Sequence, residues 1–210
     1  ISSGLSLSKA TQILSKRLGV EHQIIPMTDQ PVRTLVNTEE NGTLAFQEYF
    51  VRHQFKPVIK QIIFSGIDEA YLTESGGKNL QEADLVVFCP SNPFVSIDPI
   101  LAIPGVREML HHKTVIAVSP LIGGKTIKGP AAKMMNELGF QPNSVTIASH
   151  YKDLIQGILI DSRDAEEEEA IGQCGIISLV TDILIPDVIA QKRLAQEVLK
   201  FGENLLLRNR

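Results

Sequence analysis

Residues 84–101 read Asp84-Leu85-Val86-Val87-Phe88-Cys89-Pro90-Ser91-Asn92-Pro93-Phe94-Val95-Ser96-Ile97-Asp98-Pro99-Ile100-Leu101. A short apolar run passes into a Pro-rich polar loop and then into a helix-like segment. The pattern repeats at once, where Thr114-Val115-Ile116-Ala117-Val118 enters Ser119-Pro120-Leu121-Ile122-Gly123-Gly124-Lys125. Short apolar runs bounded by turn residues mark strands buried on both faces. Their alternation with helical segments predicts an α/β fold, a Rossmann-like, mostly parallel sheet flanked by helices. Ligands of such sheets bind beyond the carboxyl ends of the strands. The two loops therefore predict one site, suited to phosphate.

Downstream, helices are expected around 99–111 and 130–138. Val145 to Ala148 reads as a strand, 150–156 as a short helix and Ile158 to Ile160 as another strand. An acidic helix (Ala165 to Ile171), a last strand (Gly175 to Val180) and a long helix (Pro186 to Leu207) complete that half. The long helix carries Val188, Ile189, Leu194, Val198, Phe201 and Leu205 at core-like spacing. Upstream, Leu5 to Leu18 reads as a helix stopped by Gly19. Val20 to Met27 reads as a strand ending in a turn at Thr28-Asp29-Gln30-Pro31. Thr34 to Thr38 and Leu44 to Val51 flank Asn41-Gly42, which supplies the positive φ of a tight hairpin. Val58 to Phe64 adds a third strand. Residues 28–70 are thus expected to form an antiparallel elaboration within a single α/β domain spanning 1–210.

The chain has 210 residues, 43% hydrophobic and 21% charged, which is ordinary for a globular protein. A net charge of −4 offers no global basic field for nucleic acid. No apolar run approaches the roughly 20 residues that span a bilayer. The two cysteines, Cys89 and Cys174, lack metal spacing. Cys89, closing an apolar run, reads as a small core residue. A cytoplasmic location is the default.

In the first loop Pro90 and Pro93 stiffen the backbone around Ser91 and Asn92. A stiff loop loses less entropy when a ligand binds. Ser91, Asn92 and Ser96 offer groups for phosphate or base, and Pro99 fits the first turn of the next helix, whose free N–H groups favour anions. The other reading is a purely structural turn. In the second loop Gly123 and Gly124 permit close backbone approach, while Lys125 and Lys128 supply cations. GGKT lacks the preceding glycine of a P-loop. Asp29, between prolines, is either a turn former or a hydrogen-bonding group at a cleft mouth. Arg33 and Arg52 either clamp phosphate or pair with Glu39, Glu40 or Glu48. Glu166 to Glu169 reads as a solvated face near a helix start. The five histidines form no metal pattern.

The stretches IIPMTDQPVRT, LAFQEYFVR, CPSNPFVSIDPILAIPGVRE, AVSPLIGGKTIKGPAAKMM and SHYKDLI resemble the 2-phospho-L-lactate transferase family of coenzyme F420 biosynthesis. The resemblance runs from about Leu5 to about Phe201. It implies an enzyme that moves a phospholactyl, or phosphoenolpyruvyl, group from a guanosine diphosphate ester to the deazaflavin Fo. GMP is released and Mg²⁺ assists. It further implies a homodimer with small-molecule partners, and neither nucleic acid nor membrane. Carried over residue by residue, Ser91, Asn92, Pro93 and Ser96 serve the nucleotide diphosphate, with Ser119, Gly123, Gly124 and Lys125 beside them. Met27, Thr28 and Asp29 fall near the acceptor, Arg33 is a further substrate-binding candidate, and Lys125 and Asp29 are the expected catalytic groups. Cys89 and Asp98 stand where the family commonly has Gly. The chain opens at Ile1 without Met, and the family's Gly-rich strand–loop and acidic cluster are expected upstream, so the metal ligands are unassigned. The alternative is a non-catalytic nucleotide-sugar-binding regulator of the same superfamily. Such regulators usually carry GPGSLYTS at the first loop and lack SPLIGGKTIKGP.

Overall fold

Four runs of aliphatic residues build the centre of the molecule. The computed structural model describes residues 4–126 and 129–208. Its parallel sheet contains β4 (Leu85–Phe88), β5 (Thr114–Val118), β8 (Gly157–Asp161) and β9 (Ile177–Thr181), in the order β4-β5-β8-β9. Every residue of β5 and β8 is buried, because a central parallel strand is covered on both faces.

Alternate side chains of these strands enter different cores. Val115, Ala117, Ile158 and Ile160 join a large cluster with Leu101, Ile103, Leu110, Met134 and Ile147. Ile116, Val118 and Leu159 face Leu194, Val198, Phe201 and Leu205 of α8 (Val188–Arg208). Each fully buried aliphatic side chain contributes about 1.5–3 kcal/mol. The strand order accounts for the division. Right-handed crossovers that step in one direction put their helices on one face. That face receives α3 (Asp98–Leu101), α4 (Val106–Leu110), α5 (Ala131–Glu137), α6 (Ser144–Tyr151) and α7 (Glu168–Gln173). The opposite face is left to α8, which follows the last strand.

Upstream lie α1 (Leu7–Arg17), a three-stranded antiparallel sheet and α2 (Glu74–Glu82). The sheet consists of β1 (Arg33–Thr38), β2 (Gly42–Ala45) and β3 (Ile59–Ser65), ordered β2-β1-β3. Its hairpin turns through Glu39-Glu40-Asn41, one position earlier than the expected Asn41-Gly42 turn, with Gly42 pairing Thr38 as the first residue of β2 and only Gly42 of the two at positive φ (64). α5 bolts this layer to the larger core. The Lys133 ammonium donates to the Pro57 carbonyl (3.0 Å) and pairs with Glu137, whose carboxylate accepts the Ile59 N–H (3.1 Å). Tyr49 is completely buried at this junction, and burial, followed by the nearby Glu137 and Glu40 charges, pushes its hydroxyl up to about 12. The phenol is therefore neutral at physiological pH.

Several sequence expectations are corrected. Val145 to Ala148 is not a strand but the middle of α6. Its β-branched residues suit a strand, yet Asn143 accepts the Thr146 N–H (2.8 Å) as a cap, and Ser144, Ile147, Ala148 and Tyr151 are buried at helical spacing. The helix expected over 150–156 is therefore only the end of α6 and the turn into β8. Leu44 to Val51 is extended only to Ala45. Glu48–Arg52 then forms a single π-helical turn that seats Tyr49 inward and stacks Phe50 between Phe46 and Phe55. Val20 to Met27 makes no strand, since no neighbouring strand pairs with it. The helix expected around 99–111 breaks after Ala102, where Pro104 and Gly105 (φ 87) intervene. Val188 and Ile189 are 77% and 82% exposed, because α8 meets the sheet only from Leu194 onward. Cys89 is exposed, not core, since it lies one residue beyond the end of β4.

Candidate functional site

The exits of β4 and β5 meet. A cleft of about 300 Å³ is lined by Pro90, Ser91 and Asn92 after β4, and by Ser119 and Pro120 after β5. The rest of its wall comes from Ile122, Thr126 and the Gly129–Ala131 segment that opens α5, and from Ile183, Leu184 and Ile185 after β9. β4 and β9 are the two edges of the sheet. The cleft is therefore lined from the carboxyl ends of β4, β5 and β9, where the strand-end rule places ligands.

The first loop is rigid for a reason legible in its residues. The Asn92 side-chain carbonyl accepts the Phe94 N–H (3.0 Å), and its amide donates to the Met134 sulfur (3.1 Å). Pro93 then opens a π-helical turn, Pro93–Ile97, that runs straight into α3. Helical backbone thus starts at Pro93 and not, as expected, at Pro99. Pro93 is buried and lines a separate cavity of about 490 Å³ with Phe94, Phe140 and His150. Ser96 is exposed on the outer side of this turn and does not line the cleft.

The second loop is a two-stranded ribbon, β6 (Leu121–Ile122) and β7 (Lys125–Thr126). Gly123 (φ 58) and Gly124 (φ 67) form its tip. Two consecutive left-handed residues make the turn of a type I′ hairpin. Lys125 is exposed on β7, opposite Ile122, one residue from the cleft-lining Thr126. Ser119 is 1% exposed; its hydroxyl accepts the Leu121 N–H (3.2 Å) and lies 2.9 Å from the Ser144 hydroxyl. Lys128 lies outside the described residues.

The Met27–Asp29 segment does not line this cleft. Met27 and Pro26 accept from the Thr73 backbone and hydroxyl, Thr28 is buried against Gln30, and the Asp29 carboxylate accepts the Ser8 N–H (2.6 Å) at the start of α1. Arg33 is exposed at the first position of β1. Arg52 pairs with Glu48 (3.0 Å).

Residues that the sequence reading passed over hold the cleft in shape. Asp161, fully buried at the end of β8, accepts the N–H of Arg163 (3.0 Å) and of Ile183 (3.2 Å). Asp164, 5% exposed, accepts the Gly123 N–H (3.0 Å) at the ribbon tip. One short turn therefore braces two walls of the cleft. The strand-end rule, applied to β8 and β9 as it was to β4 and β5, would have found both 161–164 and 182–185.

Glu167, from the acidic run, accepts the N–H of Ser144 (2.7 Å) and Val145 (3.2 Å) at the start of α6. Burial pushes its carboxyl above the ordinary glutamate value of 4.5, and Asp164 and Glu166 add to the push against those two N–H groups. The folded chain thus binds this proton more tightly than the unfolded chain. The associated stability is complete below the unfolded value and is lost as pH rises through the folded one. Glu167→Gln keeps a carbonyl acceptor and removes the charge. Its urea midpoint should rise relative to the parent between about pH 4 and about pH 8. A constant difference across that range would show that the carboxyl is unperturbed.

Among the described residues no group of three or more His, Cys, Asp or Glu side chains is placed to hold a metal ion. Asp161 accepts backbone N–H groups with both oxygens, and Asp164 and Glu167 each with one. The Mg²⁺ expected from the resemblance finds no ligand set among the described residues. Among the described residues no helix is long and apolar enough to cross a membrane.

An open parallel sheet flanked by helices, with a braced, partly polar cleft over its strand ends, defines an α/β protein of Rossmann-like design. The family model described as "2-phospho-L-lactate transferase CofD" matches residues 1–174. The chain belongs to this family. It is 34% identical over 200 residues to 2-phospho-L-lactate transferase of Methanosarcina mazei, covering 95% of this chain and 66% of that protein. It is 36% identical over 211 residues to phosphoenolpyruvate transferase of Kitasatospora aureofaciens, covering 98% and 66%. The chain thus spans just under two thirds of the length of these relatives. A crystal structure of a UPF0052 family member from Bacillus halodurans matches with a TM-score of 0.58 at 14% identity, over 90% of this chain and 66% of that one, and shows the same fold.

Proposed function

We propose that this chain carries the strand-end half of a transferase of coenzyme F420 biosynthesis. The reaction moves a phospholactyl or phosphoenolpyruvyl group from a guanosine diphosphate ester to the terminal ribityl hydroxyl of Fo. A P–O bond forms to that hydroxyl, the bond to the GMP phosphate breaks, and the hydroxyl proton is lost. The observation that carries the reading is the meeting of the Ser91-Asn92 loop with the Ser119–Thr126 and Gly129–Ala131 segments at one cleft, in a member of this family. A protein that binds its ligand in a rigid groove lowers the barrier chiefly by positioning and by stabilising charge on phosphoryl oxygens. Ser91 and Asn92 supply polar groups on a backbone that is already ordered. Lys125, on the rim, supplies a mobile cation on a flexible stem.

The test is incubation of the intact protein with Fo, the guanosine diphosphate ester and Mg²⁺, followed by detection of GMP. Nucleotide-sugar binding without GMP release would favour the regulator instead. Lys125→Ala should lower kcat/KM by about 10²-fold, the cost of removing one stabilising donor. Its urea midpoint should stay unchanged, because Lys125 is exposed. Unchanged kcat/KM would remove Lys125 from the chemistry.

A further inference from the structure

We propose that Ile183, Leu184 and Ile185 form the seat for the planar heteroaromatic ring of a substrate, with that ligand's phosphate or polyol chain directed to the opposite flank. The proposal rests on the reading of this cleft as the substrate site. Sheet order puts the two flanks at opposite edges, since β4 and β9 are the outer strands and both exits line the same cleft. The β4 flank is polar, with the Ser91 hydroxyl and Asn92 amide. The β9 flank presents three consecutive aliphatic side chains, and Ile122 of the ribbon, 8% exposed, continues the apolar surface. Ile185 is 44% exposed although it lines a concavity. Apolar surface left open inside a cleft is what a ring face covers.

This wall is also built to stay in place. The Ile183 N–H is fixed by buried Asp161 (3.2 Å), and the Leu184 N–H by Asp182 (3.0 Å). Arg193 of α8 pairs with Asp182 (3.7 Å) and with Glu197 (3.0 Å), tying the exit segment to the helix. Isoleucine has few χ1 states to lose. A ring that docks here therefore pays little ordering entropy. A cleft of about 300 Å³ is at the small end of the range for small-ligand sites, so one ring and its chain fill it.

Both substrates of the proposed reaction carry such a ring, so titration calorimetry on the parent protein and Ile185→Ser with GDP, with Fo and with inorganic pyrophosphate separates them. The expected result is about tenfold weaker binding of one ring ligand, with pyrophosphate binding equal in both proteins. Loss confined to GDP assigns the seat to the donor's guanine, and loss confined to Fo assigns it to the acceptor. If the parent binds either ring ligand and Ile185→Ser binds both as tightly, the seat is overturned while the cleft reading stands. If the parent binds neither, both fall together. Should Ile185→Ser unfold, Ile185→Val keeps a branched side chain, and about threefold weaker binding of the same ligand is then expected.

Discussion

Gly157→Val should lower the urea midpoint of unfolding more than any other single change considered for this chain. Gly157 opens β8 beneath α8. A Cβ built there would lie 2.6 Å from Cε1 of Phe201 and 2.7 Å from Cδ1 of Leu205. Both of those side chains are themselves buried, so neither can swing into solvent without exposing apolar surface. α8 has a matching requirement, because a Cβ on Gly202 would collide with Leu85 of β4. The helix thus approaches the sheet through one glycine on each side. Overpacking of this kind costs about 1–3 kcal/mol or more, and valine brings three carbons to the crowded spot. Against a total stability of about 5–15 kcal/mol, that is a large share. An unchanged midpoint would mean that α8 does not sit on β8 as described.

Asp161→Ala should both destabilise the chain and disable the cleft. The substitution leaves the N–H of Ile183, a residue only 5% exposed, without its acceptor. A buried donor deprived of its partner costs about 1–3 kcal/mol. If the cleft is the substrate site proposed above, turnover should fall as well, since the same bond holds the β9 flank in the cleft wall. Displacement of a positioning group by about 1 Å can cost about 10²-fold in rate, and a drop of that order in kcat/KM is expected for the intact protein. Asp161→Asn retains one of the two acceptor oxygens, which serve Arg163 and Ile183 separately, and should recover only part of the folding and part of the turnover. If Asp161→Ala lowers the urea midpoint while kcat/KM holds, Asp161 is a structural residue with no positioning role.

The parallel sheet was legible because its strands carry their own signature. Residues 85–88, 115–118 and 158–160 are continuous apolar runs between turn residues, and burial of the central strands on both faces leaves no alternation to blur them. The existence of the hairpin was equally plain from Asn41-Gly42, although the chain turns through residues 39–41 and only Gly42 takes the positive φ that glycine adopts cheaply. α6 was misread because Val145, Thr146 and Ile147 favour strands locally. The outcome was decided by the Asn143 cap and by Glu167, which reaches the first turn of α6 from more than twenty positions along the chain. Glu48–Arg52 was misread for a similar reason, since the stacking of Phe46, Phe50 and Phe55 overrides the extended tendency of the segment.

Local composition was enough to specify the α/β class, the stiffness of the Pro90–Pro93 loop and the turn at Gly123-Gly124, because each follows from φ restriction or hydrophobic period within a few residues. Which of those loops share a cleft, and which carboxylates brace it, came from long-range folding alone. Asp161 meets Ile183, and Asp164 meets Gly123, only once β4, β5, β8 and β9 have paired. A carboxylate's partner depends on the strand order that puts a distant N–H within 3.2 Å, and no stretch of neighbouring residues encodes that order.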